Sequence, residues 1–385
     1  MSEPFDMGLV QRGARNRRTP YYEATQRHGP QGFTVYNHMY FPIRFGSFED
    51  EFEALLNGVT VWDVAVERCL EISGPDGLAF AQLLTPRDLS KCAVGQAKYV
   101  LICDSDGGII NDPVLTRMDD TTFWFALASS DALLFARGLK NAYPDLSATI
   151  REAEVAPLQI QGPRSKDLLT ALLGDGILDL KYYHWNRAEI AGAPVVVTRT
   201  GWTSEVGYEI YLIDLSKGTD VYEAIMKAGE PYGVRPTGPS DIRRIEGAIF
   251  NWGADMTYEN NAFEMGLERL IDFGLPDEAS ISMAAYRRIR DAGVTRRING
   301  IVIDGEPFPD LNNTKWPVRI DRERVGKVTS AVYSPRLSQN IGYAWLPAAR
   351  SMTGQKLMVE SEWGSRTGTV TPMPFVDPEK RIPVS

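Results

Sequence analysis

One pattern occurs twice in the first half of the chain, 88 positions apart: an apolar strand, a glycine, a proline and then a helix. Residues 68–74 (RCLEISG) read as a strand, and Pro75-Asp76 opens a helix through Leu84. Residues 158–162 (LQIQG) repeat the strand, and Pro163 precedes a helix over Ser165–Leu173. The recurrence predicts an internally duplicated α+β core rather than two unrelated domains. Further strands are predicted at 98–104, 123–128, 194–200 and 208–214, and helices at 131–143, 219–228 and 241–251. Upstream, Ser47-Phe48-Glu49-Asp50 has capping-box spacing, and Phe48, Phe52, Leu55 and Leu56 recur at helical intervals up to Gly58. From about Arg297 the helical period disappears. Short strands such as INGIVIDG, IGYAWLP and KLMVES follow one another across turns, which predicts an all-β barrel or jelly roll. The expected domains are therefore 1–296 and 297–385.

Composition removes several function classes. The 41 Lys+Arg stand against 50 Asp+Glu, a net charge of −9, which opposes a nucleic-acid or anionic-membrane partner. No apolar run reaches the ~20 residues of a membrane span, and the opening MSEPFDMGLVQRGARNRR lacks a signal-peptide core, so a cytoplasmic location is expected. The three cysteines form no CxxC, and only three histidines occur, so no metal site is expected. Dinucleotide, P-loop, HExxH and GxSxG motifs are all missing. Asp104-Ser105-Asp106-Gly107-Gly108 opens like a calcium loop but lacks the acid at the fifth position and the glycine at the sixth, so it reads as a hairpin turn. Arg12, Arg15, Arg17 and Arg18 read as a solvated arm.

Four segments place polar groups where a plain core would not. In KYVLICDSDGGIINDP the return strand is apolar until Asn111-Asp112, and Pro113 then withholds a ladder hydrogen bond; Asp112 is either a solvated turn residue or a placed carboxylate. In Gly207-Tyr208-Glu209-Ile210-Tyr211 alternation sets Glu209 opposite Tyr208 and Ile210, and pairing with Tyr211 is expected only with a twist or bulge. Glu209 lies either on an amphipathic surface strand or where its two oxygens can accept from an amino-pyrimidine edge. On the helix after Ser240, Asp241 and Arg244 have the spacing of a surface ion pair, and Glu246 is expected to be partly buried. Tyr182-Tyr183-His184-Trp185 joins aromatics to a histidine; either His184 meets a substrate carboxylate or a leaving oxygen, or the loop simply packs.

Together these segments resemble the folate-dependent aminomethyltransferase family, the T-protein of glycine cleavage. The marks are Phe45-Gly46-Ser47 with Glu51, Trp62-Asp63-Val64, residues 107–112, Gln161-Gly162-Pro163, Thr200-Gly201 with Gly207-Tyr208-Glu209-Ile210, Asp241 with Arg244 and Glu246, and residues 328–335. Arg18-Thr19-Pro20-Tyr21, Tyr36-Asn37-His38-Met39, Glu67-Arg68, Arg87-Asp88-Leu89-Ser90-Lys91 and Asn111-Asp112-Pro113 are similar to a branch of tetrahydrofolate-dependent demethylases. Its members act on dimethylsulfoniopropionate, and relatives act on methoxybenzoates such as dicamba. The resemblance implies a three-domain ring, with two interlocked α+β subdomains, a C-terminal barrel and tetrahydrofolate in a central channel. It implies Asp112 as the catalytic acid near N5/N10, Tyr99 as a pocket tyrosine that also meets the cofactor, and Glu209 as the grip on the pterin. Trp202, Tyr211 and Arg244 join the folate set by neighbourhood, and His184 joins the catalytic set. Asn111 replaces the first of the family's paired aspartates, Ser240 its arginine before the helical aspartate, and Trp202 its tyrosine after Thr-Gly. These departures count against aminomethyl transfer from a lipoyl carrier. The expected activity is demethylation of a small carboxylate-bearing donor, leaning to a methoxybenzoate, with 5-methyltetrahydrofolate as product. Sulfonium demethylation, aminomethyl transfer and non-catalytic folate binding are the alternatives; the oligomeric state is left open.

Overall fold

A computed structural model describes residues 13–385. Of the basic arm, Arg12 lies outside the described residues, whereas Arg17 pairs with Glu152 and Arg18 with Glu23, both at 3.0 Å.

The tandem pattern becomes two sheets with one winding. In the first, strand Cys69–Ser73 leads into helix Gly77–Leu84, then strands Ala97–Tyr99, Val114–Arg117 and Phe123–Ala126, then helix Ala132–Ala142 and a closing strand Thr149–Glu152. The meander lies on one side of the opening strand and the closing strand on the other. The second sheet repeats this order with strand Ala156–Gln161, helix Ser165–Leu173, strands Trp185–Ile190, Ala193–Thr198 and Gly207–Leu212, helix Gly218–Gly229 and strand Val234–Pro236. The repeat extends to the backbone. Gly74 and Gly162 turn the corner after each opening strand at φ +114° and +116°. A Cβ there would sit 2.8 Å from the Ser147 carbonyl oxygen or 2.6 Å from that of Gly58, so neither position admits a side chain.

One strand breaks the symmetry and interlocks the halves. Val59–Trp62 precedes the first unit in sequence but inserts into the second sheet, antiparallel to Ala156–Gln161 and parallel to Val234–Pro236. A second asymmetry lies in the first meander. There the chain leaves the sheet to form the hairpin Ile102–Cys103 and Ile109–Asn111, which the second meander lacks. The single strand expected over 98–104 is therefore split between sheet and hairpin, with Val100 bonded to the Pro113 carbonyl at 3.0 Å instead. The 104–108 turn closes this hairpin, and the Asp104 carboxylate accepts from the backbone of Asp106 and Gly108 at 2.9 and 2.7 Å.

Strand Arg296–Ile303 begins a closed six-stranded barrel filled by Ile301, Trp316, Val318, Val328, Leu346 and Val359, not a jelly roll. The helix predicted over 241–251 stops after Asp241–Glu246, because Ala248 adopts φ +54°. Leu101 just before the hairpin, Ile109 within it, Ile245 of this helix and Tyr343 and Trp345 of the barrel share one core, which holds the hairpin against the other two parts.

Candidate functional site

Strand Gly207–Leu212 is buried along its whole length, so the surface-strand reading of Glu209 fails. Register sets Glu209 between Gln159 and Thr198. Its carboxylate accepts from Gln159 Nε2 at 2.8 Å, Thr200 Oγ1 at 2.6 Å and the Tyr211 hydroxyl at 3.2 Å. The strand carries no register shift, and period-two alternation alone puts residues 209 and 211 on one face, so no bulge is needed. Tyr208 and Ile210 point the other way, under the helices. Burial pushes the Glu209 carboxyl upward against the pull of those hydroxyls. Beside it, Gln159 Oε1 is buried with no hydrogen-bond partner.

Asp112 is placed by its neighbour. Asn111, fully buried, donates Nδ2 to the Ala128 carbonyl at 2.9 Å and to Ser130 Oγ at 2.7 Å, and accepts from Ala128 N at 3.1 Å. That clamp fixes the end of the hairpin and leaves Asp112 half-buried, with the Tyr99 hydroxyl donating to it at 2.9 Å. Burial lifts the Asp112 carboxyl from 3.8 to about 7, with the Tyr99 bond acting the other way. It is not a solvated turn residue.

A third carboxylate completes the group, and sequence reasoning assigned it no role. The turn at Asn37-His38, with φ +47° and +63°, docks Asn37 Nδ2 on the Val66 carbonyl at 3.0 Å and sets Tyr36 near Glu67. The Glu67 carboxylate is half-buried and makes no hydrogen bond or ion pair among the described residues. Burial first, then the charges of Glu209 and Asp112, push it well above the usual carboxylate range. The adjacent Arg68 suggests self-neutralisation in sequence, but its guanidinium reaches Glu152 at 2.6 Å.

The aromatic loop divides. The Tyr182 and Tyr183 rings meet edge to face at 4.7 Å, and both hydroxyls lie within the field of Glu209. His184 is used otherwise: Nδ1 lies 3.1 Å from the Tyr182 carbonyl and Nε2 3.3 Å from Gln96 Nε2. Its ring makes no hydrogen bond to Asp112, Tyr99 or Glu209.

Arg244 is not on the surface. Its Nε donates to Asp241 at 2.6 Å, Nη1 to Asp255 at 2.9 Å and Nη2 to Ser330 at 2.9 Å, so all three nitrogens are committed within the protein. Glu246, expected to be partly buried, is fully buried and accepts from Ser334 at 2.6 Å. Trp202 lies 5.9 Å from the Arg244 guanidinium and packs on the cluster of Met39, Phe41 and Trp62. The structure thus gathers Asp112, Tyr99, Glu209 and Tyr211 with Glu67, and leaves His184 and Arg244 to bonds of their own. A separate crevice between Phe48, Gly238 and Pro309 includes none of the three carboxylates. Among the described residues no group of His, Cys, Asp and Glu is arranged to hold a metal, and no helix is long and apolar enough to cross a membrane.

Comparison with known proteins gives a consistent set. The GCVT N-terminal domain matches residues 21–274, and the glycine cleavage T-protein C-terminal barrel domain matches residues 296–377. Dimethylsulfoniopropionate demethylase of Ruegeria pomeroyi is 35% identical over 356 residues, which cover 92% of this chain and 96% of that protein. An aminomethyltransferase of Symbiobacterium thermophilum is 28% identical over 379 residues, covering 93% and 97%. The crystal structure of aminomethyltransferase T of the glycine cleavage system from Bartonella henselae shares the fold, with a TM-score of 0.83 over 94% of this chain and 98% of its own, at 19% identity.

Proposed function

Because the chain belongs to the glycine cleavage T-protein family of tetrahydrofolate-dependent enzymes, we propose that it is a demethylase whose donor is a small sulfonium carboxylate of the dimethylsulfoniopropionate kind. The observation that carries this reading is the group formed by Asp112, Glu67 and Glu209. None of the three pairs with Lys, Arg or His among the described residues, and a buried carboxylate without a cation is costly. A cationic donor supplies the missing charge.

The folate fits the residues present. A reduced pterin offers neighbouring N–H donors along its pyrimidine edge, and the orphaned Gln159 Oε1 stands beside Glu209 to accept with it. Bound there, tetrahydrofolate supplies N5, the nucleophile that receives the methyl group. The chain's own work is alignment and exclusion of water, and positioning of this kind can supply ~7–11 kcal/mol at best. Glu67, with the Tyr36 ring near it, favours a positive centre. Asp112, held by Tyr99, takes the proton released as the methyl arrives. The sulfur leaves as a neutral thioether, so its departure requires no acid.

Methoxybenzoate demethylation is the second reading. Asp112 favours it, since a carboxyl near pKa 7 can protonate a departing phenoxide. Against it, both His184 nitrogens are engaged elsewhere, and a methoxybenzoate brings no positive charge to the three carboxylates. Three buried free cysteines suit the reducing cytoplasm, where we place the reaction. A donor panel assayed for 5-methyltetrahydrofolate by mass spectrometry tests the proposal. Product from dimethylsulfoniopropionate and little from a methoxybenzoate is expected; the reverse order overturns the choice of donor.

A further inference from the structure

Residues 87–91, part of the demethylase resemblance, lie outside the three-carboxylate group. The structure staples them to a second turn. Asp272 accepts from Asp88 N and from Lys91 Nζ, both at 2.9 Å, and its own N donates to the Pro86 carbonyl at 3.0 Å. The short helix Glu268–Leu270, which carries Arg269, lies just before this staple. Arg87 is half-buried and donates Nη1 to the carbonyl of Tyr99, the residue whose hydroxyl holds Asp112. Arg269 is exposed and makes no hydrogen bond or ion pair among the described residues.

A third cation lies nearby. Lys380 donates to the Gly247 carbonyl at 2.8 Å, and burial, together with the charges of Arg243 and Arg269, pushes its ammonium down to about 8. Two acids in this neighbourhood are already engaged. Asp272 is held by Asp88 and Lys91, and Asp377 accepts from the backbone of Arg381 and Ile382 at 2.9 and 2.8 Å. Arg87 thus bonds to Tyr99, Arg269 lies within the field of both Arg87 and Tyr99, and Lys380 lies within that of Arg269, so three positive groups come together from three separate segments.

We propose that Arg87 and Arg269, flanked by Lys380, form a carboxylate-binding site at the edge of the Asp112–Tyr99 pocket. Its charge is opposite to that of the three-carboxylate group, as a ligand with a cationic or N–H-rich head and an anionic end requires. The inference rests on the proposed function, which offers two such anionic ends: the carboxylate of the methyl donor and the glutamyl tail of the folate. The guanidinium is suited to either through paired N–H donors.

Arg269 is the residue to change, because it holds nothing else in place. Arg269→Gln and Arg269→Lys are compared with wild type in two arms. The first measures kcat and KM for dimethylsulfoniopropionate and for trimethylsulfonium, which lacks the carboxylate. The second measures calorimetric affinity for monoglutamyl and triglutamyl tetrahydrofolate without donor. If the donor is the anion, Arg269→Gln raises its KM about tenfold, leaves trimethylsulfonium unaffected, and Arg269→Lys restores most of the loss. If the tail is the anion, the advantage of triglutamyl over monoglutamyl folate shrinks by a similar factor and donor KM stays put. Wild-type protein that binds reduced folate, with Arg269→Gln matching it in both arms, overturns the carboxylate site and leaves the proposed function standing. Wild-type protein that binds no reduced folate overturns the function first and the site with it.

Discussion

Two buried charge groups in this molecule follow opposite rules. Around helix Asp241–Glu246, Arg243 meets Glu205 at 2.6 Å, and Arg244 meets Asp241 at 2.6 Å and Asp255 at 2.9 Å. Ser330 and Ser334 add hydroxyl bonds to Asp255 and Glu246, each at 2.6 Å. There the protein neutralises itself and joins the helix to the barrel. Asp112, Glu67 and Glu209 receive hydroxyl and amide donors, or none, and never a cation among the described residues. A paired group of this kind is complete without a ligand, whereas an unpaired one is strained until something positive or proton-bearing arrives.

The contrast can be broken from either side. The largest effect is expected at Asp112: Asp112→Asn should cut kcat by about 10²–10⁴-fold while tetrahydrofolate affinity stays within about threefold. A variant as active as wild type would remove Asp112 from the chemistry. On the paired side, Arg244→Ala strands Asp241 and Asp255 and should cost about 3–5 kcal/mol in denaturant unfolding. A small stability loss with a large loss of folate affinity would instead return Arg244 to the binding set expected from sequence.

The pH profile sharpens the choice of donor. With the free-protein Asp112 carboxyl near 7, kcat/KM for a sulfonium should rise tenfold per pH unit below about 7 and level off above it. For an aryl ether that needs the carboxyl proton, the same quantity should fall above about 7. The smallest effect belongs to Glu67→Gln. It should raise the KM of a cationic donor about fivefold, roughly 1 kcal/mol. It should also stabilise the fold, because the native protein raises this acid and so binds more protons than the unfolded chain, losing stability as pH increases. Melting should therefore show the gain at pH 8 and little of it at pH 4.

The duplicated strand–Gly–Pro–helix unit was legible because a glycine corner and a proline helix start are local requirements, and both recur at the backbone level. The all-β C-terminal part was legible as a loss of helical period, though not the choice of a closed barrel over a jelly roll. The insertion of Val59–Trp62 into the second sheet was not, since four buried residues carry no mark of which sheet they join. At the site, the sequence marks Glu209 within an apolar strand and Asp112 just past the end of one, but their spacing leaves a surface strand and a turn open, and only the family resemblance gives them roles. Glu67 did not, because its sequence neighbour is an arginine that turns away to Glu152. The Asp241 and Arg244 spacing suggested a solvated pair, and only tertiary packing against the barrel buries it. His184 attracted attention by scarcity alone, and its bonds to Tyr182 and Gln96 follow from loop geometry that no spacing reveals.

In the proposed reaction a reduced pterin settles against the acid of the second sheet and its idle amide neighbour. Titration calorimetry of tetrahydrofolate into wild type, Glu209→Gln and Gln159→Leu addresses it directly. Clear heat is expected for wild type, with affinity weakened by at least tenfold in Glu209→Gln and a smaller loss in Gln159→Leu. No heat with wild type, or equal affinity in all three proteins, would contradict it.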